Sequence, residues 1–360
     1  MTATILIFIA GLVILIVGAD LLVRGASRLA AAFSVSPLVI GLTIVAIGTA
    51  SPEIAVSLQA AVAGQGDLTL GNVLGSNIFN ILFILGITAL FAPIVIAEQL
   101  IRKDAPIMLA ISLLAWALAS DGVISFVDGK ILVLLLVVYT VFALRQSSSE
   151  SADVQNEYAK EFAAKQSRTK RNMVINILFI LAGLGSLVLG SRWLVSSAVT
   201  IARALGVSEL MIGLTIVAMG TSLPEVATCV IAAFKGESDI AVGNAVGSNI
   251  FNLLGVLGLG ALLATDGIAV SREVLQLDFP VMVFVALVCL PVFYIDSRIS
   301  RMEGLLLLGY YVLYITYIVL QASNVSMVPM VGLFITFFAP ITLVVLFMLA
   351  IRSSLSRKRK

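Results

Sequence analysis

The stretch Gly41-Leu-Thr-Ile-Val-Ala-Ile-Gly48-Thr49-Ala50-Ser51-Pro52-Glu53 is an apolar run that ends in a hydroxyl, a helix breaker and a carboxylate. It returns 172 residues later as Gly213-Leu-Thr-Ile-Val-Ala-Met-Gly220-Thr221-Ser222-Leu223-Pro224-Glu225. Each copy is followed by a second matching block, Gly71-Asn-Val-Leu-Gly-Ser76-Asn77-Ile-Phe-Asn80 and Gly243-Asn-Ala-Val-Gly-Ser248-Asn249-Ile-Phe-Asn252. More than half of the positions from 41 to 90 are identical to those from 213 to 262. The chain is an internal duplication, and each copy places one glutamate inside hydrophobic sequence.

The surrounding composition sets the solvent. With 60% hydrophobic and 12% charged residues in 360, and a mean hydropathy of +1.14, the chain departs from soluble domains, whose charged share is about a quarter. It reads as a polytopic all-α protein of the lipid bilayer. The net charge of +2 says little, because the placement of basic residues governs topology. Cys229 and Cys289 lie in apolar stretches without CxxC spacing, which argues against a disulfide framework or a thiolate metal site. The absence of histidine removes the commonest transition-metal ligand and proton shuttle. The N-terminus carries no basic region or cleavage site before Asp20 and reads as a retained helix. Nothing in the sequence calls for a cofactor, a nucleic acid or an obligate protein partner.

At about 20 apolar residues per span, eleven spans are expected, near residues 3–30, 36–62, 69–92, 104–120, 124–145, 172–202, 208–234, 241–265, 278–296, 302–321 and 328–351. The one long polar segment, 146–171, separates a first transmembrane repeat (1–145) from a second (172–322). Within it Val154, Tyr158 and Phe162 recur every four residues, the spacing of a short amphipathic surface helix; a solvated linker fits as well. With the N-terminus outside, almost every lysine and arginine falls on inside-facing loops and only Lys130, Arg192, Arg203 and Arg272 remain outside. The linker is then cytoplasmic, as is the basic tail that follows the extra transmembrane helix within residues 328–360. Five spans per repeat reverse the entry direction, so the expected fold is two inverted five-helix repeats plus one additional C-terminal helix, with a site near the midplane where the repeats meet.

A buried glutamate in a span has a functional reading by default. Glu53 and Glu225 have no lysine or arginine on their own spans to neutralise them. Two carboxylates balance one divalent ion, and an oxygen-only site points to a hard ion such as Ca²⁺, which takes about 6 to 8 oxygens at roughly 2.3 to 2.6 Å. Thr49 and Thr221 each stand four residues before a glutamate, on the same helix face, and Ser76 and Asn80, like Ser248 and Asn252, are four apart on the following span. Pro52 and Pro224 free backbone carbonyls near Gly48 and Gly220. A Gly-Thr-x-x-Pro kink, a buried asparagine or a glycine spacing alone is ordinary packing; two glutamates at matching positions are not.

These motifs resemble those of the sodium/calcium exchanger family within the cation/calcium antiporter superfamily, whose two repeats carry a Gly-Thr-Ser-x-Pro-Glu type signature followed by Gly-Ser-Asn-x-x-Asn. The resemblance covers about ten spans, all but the last. It implies that Glu53 and Glu225 are the central Ca²⁺ ligands with Thr49, Thr221, Asn80 and Asn252, that Ala46 and Ala218 offer main-chain carbonyls, and that Ser76, Ser248 and Ser222 line flanking Na⁺ sites. Two positions depart from the pattern. Ala50 stands where serine is usual, so one Na⁺ position on the first-repeat side is expected to be weaker or to use Ser51. Asn252 stands where some members have aspartate, which argues against K⁺ co-transport.

The expected function is antiport of Ca²⁺ against Na⁺ by alternating access, with long first and sixth spans sliding across the rest, as in the family. The alternatives are a H⁺/Ca²⁺ antiporter using the same glutamates and a K⁺-dependent exchanger. A channel would need a continuous pore in place of one buried acidic pair. An enzyme would need a nucleophile or catalytic-metal motif, which the sequence lacks. A compact chain of this kind fits a prokaryotic inner membrane.

Overall fold

The computed structural model describes residues 2–33, 35–147, 170–206, 218–322 and 328–357, together with residues 212 and 216. Helices account for nearly all of them: α1 Thr2–Phe33, α2 Pro37–Thr49, α3 Ser51–Val62, α4 Gly66–Phe91, α5 Leu100–Asp121, α6 Phe126–Gln146, α7 Arg171–Ala204, α8 Leu223–Phe234, α9 Ser238–Leu263, α10 Val274–Tyr294, α11 Arg301–Gln321 and α12 Val328–Arg357. The expected surface helix at 146–171 lies almost wholly outside the described residues.

Among the described residues, eight helices are long and apolar enough to cross a membrane, and nine if α2 and α3, bent by 53° at Ala50, count as one span. The expectation of eleven is therefore met only in part. Two expected spans fall short: α8 has 12 residues, and most of the preceding 207–217 lies outside the described residues, while the described apolar stretch of α12 is Ala339–Ser353. The protein is a multi-pass membrane protein. Its periphery is apolar where it meets lipid, as at Leu6, Val13, Leu134, Leu181 and Val312, all more than half exposed.

Burial grades from the centre outward. The apolar windows of α4 and α9 are 78% buried, against 28% or less for α1, α6, α7 and α11. The second sequence block of each copy therefore forms the core of the molecule. Both central helices change winding where that block ends: Asn80–Leu85 and Asn252–Val256 are π-helical. The same occurs at Gly41–Val45, Leu100–Asp104 and Val274–Asp278. Such wide turns are uncommon and concentrate near functional groups.

The two copies are tied crosswise. Strand β1 (Ile94–Val95) pairs with β4 (Arg298–Ile299), and β2 (Val123–Ile124) with β3 (Ile268–Ala269), both antiparallel. Exchanging the copies maps one ribbon onto the other. Two tyrosine–aspartate pairs, the first buried and the second partly so, obey the same exchange: Tyr139 donates to Asp104 Oδ1 at 3.2 Å, and Tyr314 to Asp278 Oδ1 at 3.2 Å. They pin α6 to α5 and α11 to α10. Helix α12 lies against α10 and α11, where the Tyr310 hydroxyl donates to Thr342 Oγ1 at 2.5 Å. Cys229 and Cys289 are buried free thiols.

Helices α1 and α7 lie side by side with almost no side chain between their backbones. A Cβ on Gly18 would sit 2.8 Å from the Leu187 nitrogen, and one on Gly183 only 2.6 Å from the Leu22 nitrogen. Because the obstructing atoms are backbone, neither side can yield by a rotamer change. Gly183→Leu is expected to destabilise the protein by about 1–3 kcal/mol or more through forced separation of α1 and α7. A thermal unfolding scan in detergent should show the loss, and an unchanged midpoint would contradict this packing.

Candidate ion-binding site

The chain breaks helix twice at equivalent places. Thr49 ends α2, Ala50 turns with φ −73° and ψ 5°, and α3 restarts with Pro52 in its first turn and Glu53 beside it. In the second copy a single turn, Ala218–Gly220, precedes Ser222 at φ −90° and ψ 8°, and α8 restarts with Pro224 and Glu225. Both carboxylates thus sit on the first turn of a helix, where unpaired N–H groups favour negative charge.

Both carboxylates are buried, and among the described residues neither makes an ion pair with a basic side chain. Glu53 is 2% exposed and Glu225 1%. The ion pairs among the described residues, such as Asp20 with Arg24 and Lys235 or Glu98 with Arg102, lie elsewhere. The two glutamates are close enough to repel each other electrostatically. Ser222 Oγ donates to Glu53 Oε1 at 2.7 Å and stands 3.4 Å from Ser76 Oγ. Thr49 Oγ1 lies 3.1 Å from the Val45 carbonyl and 3.0 Å from Asn244 Oδ1.

The two central helices, α4 and α9, are joined by a reciprocal network of four asparagines. Asn77 Nδ2 donates to the Asn249 carbonyl at 3.2 Å, and Asn249 Nδ2 to the Asn77 carbonyl at 3.1 Å. Asn80 Nδ2 donates to Asn249 Oδ1 at 2.9 Å, and Asn252 Nδ2 to Asn77 Oδ1 at 3.2 Å. Every amide nitrogen in the set is taken, which leaves Asn80 Oδ1 and Asn252 Oδ1 buried and without a partner.

Those two oxygens belong to a larger group. Glu53 Oε2, Glu225 Oε2, Thr221 Oγ1 and Ser248 Oγ are also buried without a hydrogen-bond partner. A native interior leaves very few polar atoms in that condition. Among the described residues, six of the eleven such atoms come from the residues singled out in the sequence; the others are on Thr88, Gln99, Gln146, Asn176 and Thr228. The donor set is oxygen only and carries two carboxylates, which suits a desolvated hard cation and offers nothing to a soft metal. Among the described residues, no three acidic, histidine or cysteine side chains gather to hold a metal; the remaining oxygens here are neutral.

The backbone carbonyls behave differently from expectation. The carbonyls released by the prolines are capped by the protein: Ser51 donates its hydroxyl to Gly48 O, and Ser191 of α7 donates to Gly220 O at 2.7 Å. A carbonyl left bare in a bilayer interior is costly, and a nearby serine is the cheapest donor. The Ala46 carbonyl accepts the Ala50 N–H at 3.0 Å, with the Thr49 hydroxyl 3.4 Å away. Ala218 opens the single turn before Ser222.

Sequence reading passed over the supporting residues. Asn77 and Asn249 orient the amides of Asn80 and Asn252. Asn72 donates to the Glu53 carbonyl at 3.2 Å and to Ser57 Oγ at 2.8 Å, and Asn244 donates to Cys229 Sγ at 3.4 Å. All four asparagines recur in the repeated blocks, so the duplication itself was the signal; ligand spacing drew attention to their neighbours instead.

The chain is similar to known proteins over most of its length. A family model described as sodium/calcium exchanger protein matches residues 3–145 and 175–320. The chain is 39% identical over 319 residues to the putative antiporter CaxA of Alkalimonas amylolytica, covering 86% of this chain and 96% of the relative. It is 37% identical over 287 residues to the inner membrane protein YrbG of Escherichia coli, 78% and 86% covered. It is 31% identical over 345 residues to the sodium/calcium exchanger MaX1 of Methanosarcina acetivorans, 87% and 98% covered. The fold superposes on the sodium-calcium exchanger NCX_Mj, solved after soaking without Na⁺ and Ca²⁺, with a TM-score of 0.75 and 30% identity over 88% of this chain and 98% of that one. The chain belongs to the sodium/calcium exchanger family of secondary transporters.

Proposed function

We propose that the protein carries Ca²⁺ in one direction and Na⁺ in the other through the single site between Glu53 and Glu225. The observation that carries this reading is the set of six buried, partnerless oxygens contributed by both copies. Ca²⁺ takes the centre, between the two carboxylates, Asn80 and Asn252, with Thr49 and Thr221 beside them. Na⁺ ions take overlapping positions toward Ser76, Ser222 and Ser248, and the carbonyls of Ala46 and Ala218 complete the shell. The names of the Methanosarcina relative and of NCX_Mj favour Na⁺ over H⁺ as the counter-ion.

Coupling follows from electrostatics. Two charged carboxylates left empty in a low-dielectric interior carry an uncompensated desolvation penalty of several kcal/mol each, so the unloaded carrier resists changing sides. If about three Na⁺ replace one Ca²⁺, each cycle moves one net charge, worth roughly 2.3 kcal/mol per 100 mV.

The architecture that serves this is two inverted five-helix repeats, 1–145 and 172–322, joined by the cytoplasmic segment 146–171 and followed by α12. The crosswise ribbons, the exchanged tyrosine–aspartate pairs and the reciprocal asparagines all support a two-fold relation between the repeats. The N-terminus outside and the basic tail in the cytoplasm follow from the lysine and arginine distribution. Contacts agree: Val95 next to β4 donates to Ser238 Oγ, and the β4 loop meets Ser353 of α12, so predicted inside-facing segments cluster together. The named location of the Escherichia coli relative supports the inner membrane.

Purified protein in liposomes should take up Ca²⁺ when an outward Na⁺ gradient is imposed and should show the same rate with K⁺ present. Uptake driven by an outward H⁺ gradient and indifferent to Na⁺ would replace Na⁺ with H⁺ in this scheme. Ca²⁺ at 100 times its dissociation constant should stabilise the wild type by about 2.7 kcal/mol, read as a rise in melting temperature. Glu53→Gln and Glu225→Gln should each remain folded and lose both that rise and transport. Asn77→Ala and Asn249→Ala, which free the amides of Asn252 and Asn80, should weaken Ca²⁺ binding by about 10- to 100-fold.

A further inference from the structure

The two halves of the site are not equivalent, and the difference lies at one position. Ser222 in the break before α8 is buried, donates to Glu53 Oε1 at 2.7 Å and reaches Ser76 Oγ at 3.4 Å. Its counterpart in the break before α3 is Ala50, 0% exposed and without any side-chain oxygen. The consequence is a missing link: Ser222 joins Glu53 to Ser76, while Ala50 has no oxygen to join Glu225 to Ser248, the equivalent residues of the other copy; Ser248 Oγ is buried without a partner, as are Oε2 of both glutamates. The hydroxyl of neighbouring Ser51 does not fill the gap. Ser51 is exposed and its hydroxyl is spent on the Gly48 carbonyl, the one released by Pro52.

We propose that Ala50 makes the Glu225–Ser248 half a weaker Na⁺ position than the Glu53–Ser222–Ser76 half, so that this half sets the Na⁺ concentration at which Ca²⁺ is displaced. A cation entering a buried site gives up its water, and every missing protein oxygen leaves part of that loss uncompensated. The Glu53 half supplies a carboxylate and two serine hydroxyls; the Glu225 half supplies a carboxylate and one. Na⁺ therefore fills the Glu53 half first and the Glu225 half last, and release of Ca²⁺ waits for the second. This rests on the exchange reading above.

The test is equilibrium binding of ⁴⁵Ca²⁺ to purified protein with Na⁺ titrated in, alongside Na⁺-driven uptake in liposomes. Ala50→Ser, which restores the oxygen, should lower the half-displacing Na⁺ concentration by about fivefold, the scale of one modest polar interaction. Ser222→Ala, which imposes the same deficit on the other half, should raise it, and Ser51→Ala should leave it at the wild-type value. A wild type whose bound Ca²⁺ ignores Na⁺ overturns both the exchange reading and this one. Na⁺ displacement that is normal in the wild type and unshifted in Ala50→Ser overturns this one alone. So does a Ser51→Ala variant that raises the half-displacing concentration as Ser222→Ala does. If Ala50→Ser does not fold, the contrast between the Ser222 and Ser51 variants decides the question.

Discussion

Two carboxylates held together in a low-dielectric interior, with no cation of their own, form the constraint on which this structure turns. Glu53 and Glu225 are buried, mutually repulsive and beyond the reach of every lysine and arginine that makes an ion pair among the described residues. A protein that only had to fold would have replaced them with apolar side chains, since a buried charge is weak currency for stability. In the proposed exchange, the transported cations supply the balancing charge. The helix starts at Pro52 and Pro224 moderate the penalty by presenting their N-terminal dipoles to the acids.

Much of the remaining architecture keeps that arrangement open without letting it collapse. The prolines break the helices, but the carbonyls they release are capped by Ser51 and Ser191, so the irregular backbone is not itself a liability in lipid. The four asparagines of α4 and α9 satisfy each other's nitrogens and leave two amide oxygens, Asn80 Oδ1 and Asn252 Oδ1, buried without a partner. Their reciprocity fixes the amides in one orientation, which a single unsupported asparagine would not have. The π-helical turns begin at Asn80 and Asn252, the last residues of the two repeated blocks.

The duplication made most of this legible before any coordinates. Glu53 and Glu225, the hydroxyls before them and the serine–asparagine pairs after them are all visible as spaced polar residues in apolar sequence; the structure buries both glutamates and links Ser222 to Glu53 and Ser76. Helix ends were less readable. The π-helical entry of α5 begins at Leu100, four residues before the expected start, because Leu100 is fully buried although Arg102, Lys103 and Asp104 break the hydropathy signal. The span count was harder again, since α8 is short and length alone does not mark where a broken helix resumes. Asn77 and Asn249 escaped notice because an asparagine that holds another asparagine has no spacing rule. The serine caps on Gly48 and Gly220 escaped for a similar reason: Ser191 comes from α7, and no local pattern announces a partner 29 positions away in the chain.

The crossed ribbons carry a meaning for how such a molecule can be put together. Each two-residue strand finds its partner in the other copy, never in its own, and the central helices exchange hydrogen bonds through Asn77 and Asn249. The halves therefore recognise each other through surfaces that each already possesses, as subunits of a dimer would. The covalent join between them fixes their ratio and their insertion order, while cohesion resides in contacts that two separate polypeptides could make equally well.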